Sequence, residues 1–318
     1  MVDAAALDHN LAAMAAALPG PRMRPHVKAH KCSALARRQA DAGHRTFTAA
    51  TIRECEVLAA NGLDDDILLA NEVLDTTRLR GLHVTVAVDS EATIDAAAAN
   101  VERVLIDVNV GLPRCGCAPE DAGRLADYAR GKGLEVRGVM GYEGHVVGLD
   151  DRAERERQTA ECMERLLAAH KDVGGDVVSA GGTGTYDINT WANEIQAGSY
   201  ALMDTAYGHL DLPFRQALYV VGTVISVNQQ GWAVADCGLK AFGMDHGNPA
   251  IVEPAGATVW FLSDEHITFS AEPLPRIGDR VKVVPAHVDP TVAYHEAMHV
   301  VGADGAVVET WPIDMRGW

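Results

Sequence analysis

Residues 103–140 read RVLIDVNVGLPRCGCAPEDAGRLADYARGKGLEVRGVM, and the fold class turns on how that stretch is parsed. The β-branched run 103–108 predicts a buried strand. The amphipathic stretch 119–131 predicts a helix that opens on Pro119 and stops at Gly131. A second apolar run at 135–140 predicts the next strand. Strand, helix, strand at this spacing is one crossover unit of a parallel sheet.

The same alternation extends in both directions. Further strands are expected at 24–28, 46–50, 66–70, 84–88, 176–179 and 194–202, with helices at 52–60, 76–82, 91–100 and 152–171. Eight strands interleaved with helices predict an α/β fold, a (β/α)8 barrel. A doubly wound sheet shares the alternation, but the count within about 205 residues favours the barrel, which usually takes ~200–250. From residue 218 the texture changes to short strands separated by Gly, Pro and Asn turns, with no long helix. This predicts a smaller all-β domain after the barrel. The expected domains are 1–215 and 216–318, with the boundary near 213–215.

Composition narrows the function. The chain has 318 residues, 27 Lys+Arg against 44 Asp+Glu, and a formal net charge of −17. Such acidity argues against nucleic-acid or anionic-membrane partners, which need clustered cations. Apolar residues make up 48% of the chain, enough for a large core, yet no apolar run approaches the ~18 residues of a membrane helix. The Ala-rich start is interrupted by Asp3, Asp8, His9 and Asn10 and lacks a basic region, so no signal peptide is expected. Six cysteines without a CxxC pair are expected as free thiols in a cytoplasmic protein.

The residue types suited to chemistry fall at C-terminal strand ends, where barrels place their active sites. In RPHVKAHK (24–31), Arg24, His26, Lys28, His30 and Lys31 cluster at the end of the first strand. On a strand, His26, Lys28 and His30 would share a face. Cationic neighbours lower a lysine's pKa and make it a better Schiff-base nucleophile. The loop SAGGTGT (179–185) offers amides and hydroxyls to an anion, with Gly198 and Ser199 as the matching piece after the eighth strand. Arg114 is a candidate carboxylate clamp, and GYEGH (141–145) brings a phenol, a carboxylate and an imidazole. In PAHVDP, His287 and Asp289 stand at i and i+2, the spacing that lets both ligate one catalytic Mn²⁺, Mg²⁺, Co²⁺ or Zn²⁺. The HExxH match at 295–299 lies between Pro290 and a Gly302–Gly305 turn, too confined for a protease helix, and is taken as chance.

Lys28 in RPHVKAHK, Arg114 in NVGLPRCG, Tyr142 in GYEGH, the AGGTGT loop, PAHVDPTV and the terminal WPIDMRGW together resemble the D-threonine aldolase/D-serine dehydratase family. These are fold-type III pyridoxal-phosphate (PLP) enzymes related to alanine racemase, and the resemblance runs almost the whole length in order. It implies a PLP-binding barrel followed by a β-domain, with Lys28 as the Schiff-base lysine. Arg114 would lie near the cofactor's phenolic oxygen and Tyr142 would line its pocket. Gly181, Gly182, Thr183, Gly184, Gly198 and Ser199 would hold the phosphate, and Gln196 would face the pyridine nitrogen. His287 and Asp289 would bind a divalent metal, Mn²⁺ foremost, and the HxD pair points to the aldolase branch where dehydratases carry HxC. His145 or a metal-bound hydroxide is the expected base. The chain starts after the family's usual first strand, and its 142–145 stretch is shorter. The implied activity is retro-aldol cleavage of D-β-hydroxy-α-amino acids to glycine and an aldehyde, by a homodimer with a small-molecule D-amino acid as its substrate. A D-serine or 3-hydroxy-D-aspartate dehydratase is the competing reading, and a 3-hydroxy-D-aspartate aldolase stays open within the first. A racemase would need a second acid/base, for which Tyr294 is poorly placed. A bare PLP carrier would not need the β-domain.

Overall fold

The computed structural model describes residues 1–317. After the short β1 (Val2–Asp3) and helix α1 (Ala4–Ala17) come seven strands. They are β2 (Thr46–Ala49), β3 (Asp66–Leu69), β4 (Val84–Val88), β5 (Arg103–Asp107), β6 (Glu135–Met140), β7 (Val177–Ala180) and β8 (Glu194–Ile195), paired in chain order in one parallel sheet. Helices α2 (Ser33–Asp41), α3 (Ile52–Ala60), α4 (Glu91–Ala98), α5 (Ala122–Gly131) and α6 (Arg152–Val173) fill the connections. Capping boxes at Thr51 and Ser90 start α3 and α4, and the Asp151 carboxylate caps α6.

The eighth place in the barrel belongs to residues 23–26. Met23 bridges Ile195 and His26 bridges Thr48, both in parallel register. Arg24 and His26 donate their amides to the Ile195 and Ala197 carbonyls at 2.9 and 3.0 Å, and Thr48 donates to Pro25 at 2.9 Å. The segment therefore joins β8 to β2 and closes a (β/α)8 barrel. It is shorter than the expected strand 24–28, because Pro25 has no N–H for the ladder and Val27–Ala29 winds into a 3₁₀ turn. Likewise, 194–202 pairs only over Glu194–Ile195, and 76–82 holds only the 3₁₀ turn Thr77–Leu79.

Side-chain alternation fills the barrel in layers. Leu68, Ala87, Leu105, Met140 and Val177 form a buried apolar cluster. Arg24 lies towards the strands' N-terminal ends, 2% exposed, with the carboxylates of Asp66 and Glu194 at 2.7 and 2.9 Å. Arg137 reaches the same Asp66 at 2.9 Å and the Thr85 hydroxyl at 2.7 Å. Burial works against the Arg24 charge, but the two carboxylates outweigh it and raise its pKa. Arg24 thus seals the barrel's base and is not part of the basic cluster at its mouth. It precedes His26 by two residues, about 7 Å of strand rise in the opposite direction.

Beyond the barrel, β9 (Val220–Asn228), β10 (Trp232–Ala235), β11 (Ala250–Glu253), β12 (Thr258–Leu262), β13 (Ile267–Ser270) and β14 (Arg280–Val284) form a six-stranded antiparallel sheet in the order β11-β14-β9-β10-β13-β12. Its core includes Val224, Phe242, Ile267, Phe269, Val281 and Val283. A second sheet pairs β15 (Ala297–Val301) with β16 (Val307–Pro312), and β1 adds to β15 in parallel. Helices α7 (Thr205–Gly208) and α8 (Val288–Tyr294) complete the elements. Helices α1, α2, α7 and α8 lie outside the helices expected from the sequence.

The compact units do not follow a single cut at 215/216. Met1–Ala13, Ala29–Lys31 and Ser199–Ile313 form one, while Met14–Lys28, Cys32–Gly198 and the chain from Asp314 onward form the other. Val2 pairs with Val300, and the Asn10 amide donates to the Ala201 and Arg215 carbonyls, tying the N-terminus to later residues. Asp314 accepts from Ser33 N and Oγ at 3.0 and 2.6 Å at the start of α2. No helix among the described residues is long and apolar enough to cross a membrane, and none of the six cysteines is in a disulfide.

Candidate active site

Lys28 lies in the 3₁₀ turn Val27–Ala29, directly after the bridging His26 at the mouth end of the eighth barrel segment. The expected sharing of one strand face by His26, Lys28 and His30 is lost, because the turn breaks the alternation. Lys31 then takes φ +48°. His26 and His30 are buried and Lys28 is half-buried. The His26 amide bond to Ala197 sets this turn against the 196–198 segment.

The glycine-rich loop follows β7 and is organised from beneath by Glu143. That carboxylate, 0% exposed, accepts from Gly181 N at 3.1 Å, Thr185 Oγ1 at 2.9 Å and Asn189 Nδ2 at 2.9 Å. The Gly182 amide donates to Thr185 Oγ1 at 3.2 Å. Two of the amides expected to face an anion are therefore engaged within the loop. Gly184 and Gly198, both buried, have amides with no acceptor among the described residues. A buried N–H without a partner costs about 1–3 kcal/mol, so the pair fits a bound phosphate. Thr183 is buried in the same loop, and Ser199 opens the 3₁₀ turn Ser199–Ala201 in the other unit. Gly181 needs its glycine for φ +83°. A Cβ on Gly182 would sit 3.3–3.4 Å from Val147 and the Tyr142 ring.

That contact brings Tyr142 to the loop, and the Arg114 guanidinium lies over the Tyr142 ring at 5.3 Å. Gln196 donates from Nε2 to Ser179 Oγ at 2.7 Å, leaving its carbonyl oxygen available as an acceptor. Asp107 ends β5, 7% exposed. Burial pushes its carboxyl well above the usual carboxylate range, Glu72 beside it adds to the rise, and Arg114 opposes it. Arg114, Tyr142 and the glycine loop are thus brought together. His145 is exposed: its ring lies against Gly111, in the loop that carries Arg114, and its Nε2 is 3.8 Å from Cys162 Sγ on α6. From GYEGH the Glu143 carboxylate is expected at the mouth as a reactive group; it is instead fully buried and engaged by the glycine loop, because three donors of residues 181–189 face it.

The predicted metal pair lies in the other unit. His287 precedes α8 and Asp289 stands in its first turn, with His287 Nε2 and Asp289 Oδ2 3.6 Å apart. Two donors each ~2.1 Å from one ion, at this separation, subtend about 118°, within the range of common coordination angles. Asp204 fixes the loop between them, accepting from Val288 N at 2.8 Å and Tyr207 N at 3.2 Å; burial pushes its carboxyl up to about 6. Burial disfavours a charged His287, yet Asp289 and Asp245 outweigh it and raise the ring to about 9. The field around this imidazole favours positive charge, as a cation site requires. In the HExxH stretch, α8 ends at Tyr294 and His299 lies on β15 with its ring against Thr310, so the two histidines share no helix face.

The model of the alanine racemase N-terminal domain matches residues 2–206, and a serine dehydratase domain model matches 217–301. The chain is 34% identical to a D-threonine aldolase of Arthrobacter sp., over 100% of this chain and 92% of that protein. It is 28% identical to a 3-hydroxy-D-aspartate aldolase of Paracoccus denitrificans, over 100% and 91%. Among solved structures, D-threonine aldolase from Filomicrobium marinum superposes with a TM-score of 0.92 at 32% identity, covering 100% of this chain and 95% of that one. D-threo-3-hydroxyaspartate dehydratase from Delftia sp. HT23 gives 0.87 at 25% identity, covering 100% and 97%. A variant of that dehydratase is known in a metal-free form.

Proposed function

Because the chain belongs to the D-threonine aldolase/D-serine dehydratase family of alanine racemase-like barrels, a family of PLP-dependent lyases, we propose that it cleaves D-β-hydroxy-α-amino acids to glycine and an aldehyde with the help of a divalent metal. The observation that carries the aldolase reading is Asp289, a carboxylate 3.6 Å from His287 Nε2. A carboxylate and imidazole pair suits Mn²⁺ or Mg²⁺, where a thiolate would tilt the choice to Zn²⁺. When bound, the two groups supply an electron sink for Cα–Cβ cleavage and a Lewis acid for the β-hydroxyl.

The protein's own groups then have separable tasks. Lys28 would hold the cofactor covalently through its aldehyde. The Gly184 and Gly198 amides, with Gly181, Gly182, Thr183 and Ser199, would hold the phosphate. Tyr142 would line the cofactor pocket, and Arg114, whose guanidinium lies over the Tyr142 ring at 5.3 Å, would offer a fork of donors to the phenolic oxygen or the substrate carboxylate. Gln196, an amide and not a carboxylate, would be the group offered to the pyridine nitrogen, and it would not compel full protonation there. His287 and Asp289 would hold the metal. His145 would accept the β-hydroxyl proton, and its Nδ1 has no hydrogen-bond partner among the described residues. A homodimer belongs to this reading, and light scattering of the purified protein tests it.

Product analysis on D-threonine, D-serine and 3-hydroxy-D-aspartate, with and without Mn²⁺, is the deciding experiment. Glycine plus an aldehyde is the expected result, with glyoxylate as the aldehyde from 3-hydroxy-D-aspartate. A 2-oxo acid plus ammonia from these substrates would replace the aldolase by a dehydratase. Full activity after exhaustive chelation would remove the metal from the mechanism.

A further inference from the structure

One carboxylate beside the metal pair has no role so far. Asp245 Oδ2 lies 2.6 Å from His287 Nδ1, on the side of the ring away from Asp289. We propose that Asp245 is the positioning residue of the metal centre: it accepts the Nδ1–H of His287 and so turns the Nε2 lone pair towards the ion shared with Asp289. The inference rests on the metal-site reading above.

The backbone explains how Asp245 gets there. Gly243 pairs with His287 in an antiparallel bridge, and its amide donates to Thr291 Oγ1 at 2.9 Å. Thr291 Oγ1 in turn donates to the His287 carbonyl at 2.7 Å. A Cβ at residue 243 would fall 2.2 Å from Pro290 Cγ, so only glycine lets the two segments approach this closely. Asp245 follows by two residues and lands on the imidazole edge.

Distance decides between two uses of this carboxylate. Ligand atoms of Asp245, His246 and His287 all lie within 4.8 Å of one another, which is close enough for a separate ion. Two ligands ~2.1 Å from a metal and 2.6 Å apart would subtend only about 76°, well short of the ~90° of an octahedral site. A separation of 2.6 Å is instead that of a short charge-assisted hydrogen bond. A ring nitrogen carrying that proton cannot ligate, so the metal falls to Nε2. His246 packs against His287 with ring centroids 4.4 Å apart and planes tilted by 42°, and the ring nitrogen of His287 nearest Asp289 is Nε2, at 3.6 Å from Oδ2. A carboxylate on the far nitrogen of a metal-binding histidine fixes tautomer and orientation, and losing it commonly costs 10–100-fold in metal affinity.

The test is Mn²⁺ binding to the PLP-loaded protein, read by the electron paramagnetic resonance signal of free Mn²⁺. Asp245→Ala is expected to weaken Mn²⁺ binding about 10–100-fold while the cofactor absorbance and melting temperature stay unchanged. Turnover is expected to recover at saturating Mn²⁺. Asp245→Asn keeps an acceptor for Nδ1–H and is expected to fall between Asp245→Ala and the parent. Affinity for Mn²⁺ in Asp245→Ala within twofold of the parent would overturn the positioning role. Tight binding retained by Asp289→Ala but lost in His246→Ala and Asp245→Ala would also overturn it, by moving the ion to the Nδ1 side. Unchanged binding in His287→Ala is a separate result: it removes the metal-site reading itself, and the inference with it.

Discussion

Glu143→Gln probes how the glycine loop is held. The carboxylate is fully buried and serves three donors. One oxygen, Oε1, takes both Thr185 Oγ1 and Asn189 Nδ2, while Oε2 takes the Gly181 amide. A glutamine retains one acceptor, so the Oε1 bonds survive, but its NH₂ then faces the Gly181 N–H, donor against donor. Leaving a buried donor unsatisfied costs about 1–3 kcal/mol. Gly181 relieves that cost by rotating its amide away, which carries Gly184 out of register. If most of the cost falls on the loop, PLP affinity drops about 5–100-fold, since 1.4 kcal/mol is tenfold. Pyridoxal, which lacks the phosphate, provides the control. The expected outcome is weakened PLP binding with unchanged pyridoxal binding, measured by absorbance titration of the apoprotein. Equal losses for both ligands, or no loss for either, would refute the assignment of Glu143 to the phosphate loop.

Other perturbations test separate parts of the structure. Lys28→Ala is expected to abolish covalent capture of PLP, so borohydride reduction should leave no cofactor mass on the chain; a retained adduct would move the Schiff-base lysine elsewhere. Arg24→Met strands Glu194 in the barrel's base, since Asp66 keeps Arg137 at 2.9 Å but Glu194 loses its partner at 2.9 Å. Stability should fall by about 3–5 kcal/mol in urea melts, and a loss below 1 kcal/mol would count against the network. His44 is buried with Nε2 2.9 Å from the Leu18 carbonyl, and burial lowers its pKa from 6.5. The unfolded chain therefore binds the proton more readily. The stability His44 contributes is present above pH 6.5 and is lost as pH falls below that value through the lowered pKa. His44→Gln, which keeps the donor to Leu18, should flatten the acid side of the stability curve, and identical curves would refute the assignment.

Much of the fold was legible because its signals are local. Each strand and helix of the 103–140 unit follows from side-chain period and a terminating glycine, and repeating the unit counts out a barrel. The HxD spacing also survives folding, because two positions that close stay near each other in any conformation. The setting of Lys28 was not legible: Pro25 and a 3₁₀ turn cut the strand short and undid the expected alternation. Arg24 was assigned to the wrong end of the barrel, since its partners Asp66 and Glu194 lie 42 and 170 positions away in the chain. The loop-holding place of Glu143, expected only as a carboxylate at the mouth, and the contact of Asp245 were hidden for the same reason. Their roles come from what they face: a loop nearly forty residues on for Glu143, and for Asp245 a histidine reached only through the Gly243 bridge. The sequence by itself determined the alternation of elements and which side chains are candidates for chemistry, because period and chemistry are properties of neighbours in the chain. Which loop amides are engaged by Glu143 and Thr185, which carboxylate meets the His287 imidazole, and where the compact units divide were decided by tertiary structure alone, because hydrogen bonds form between neighbours in space.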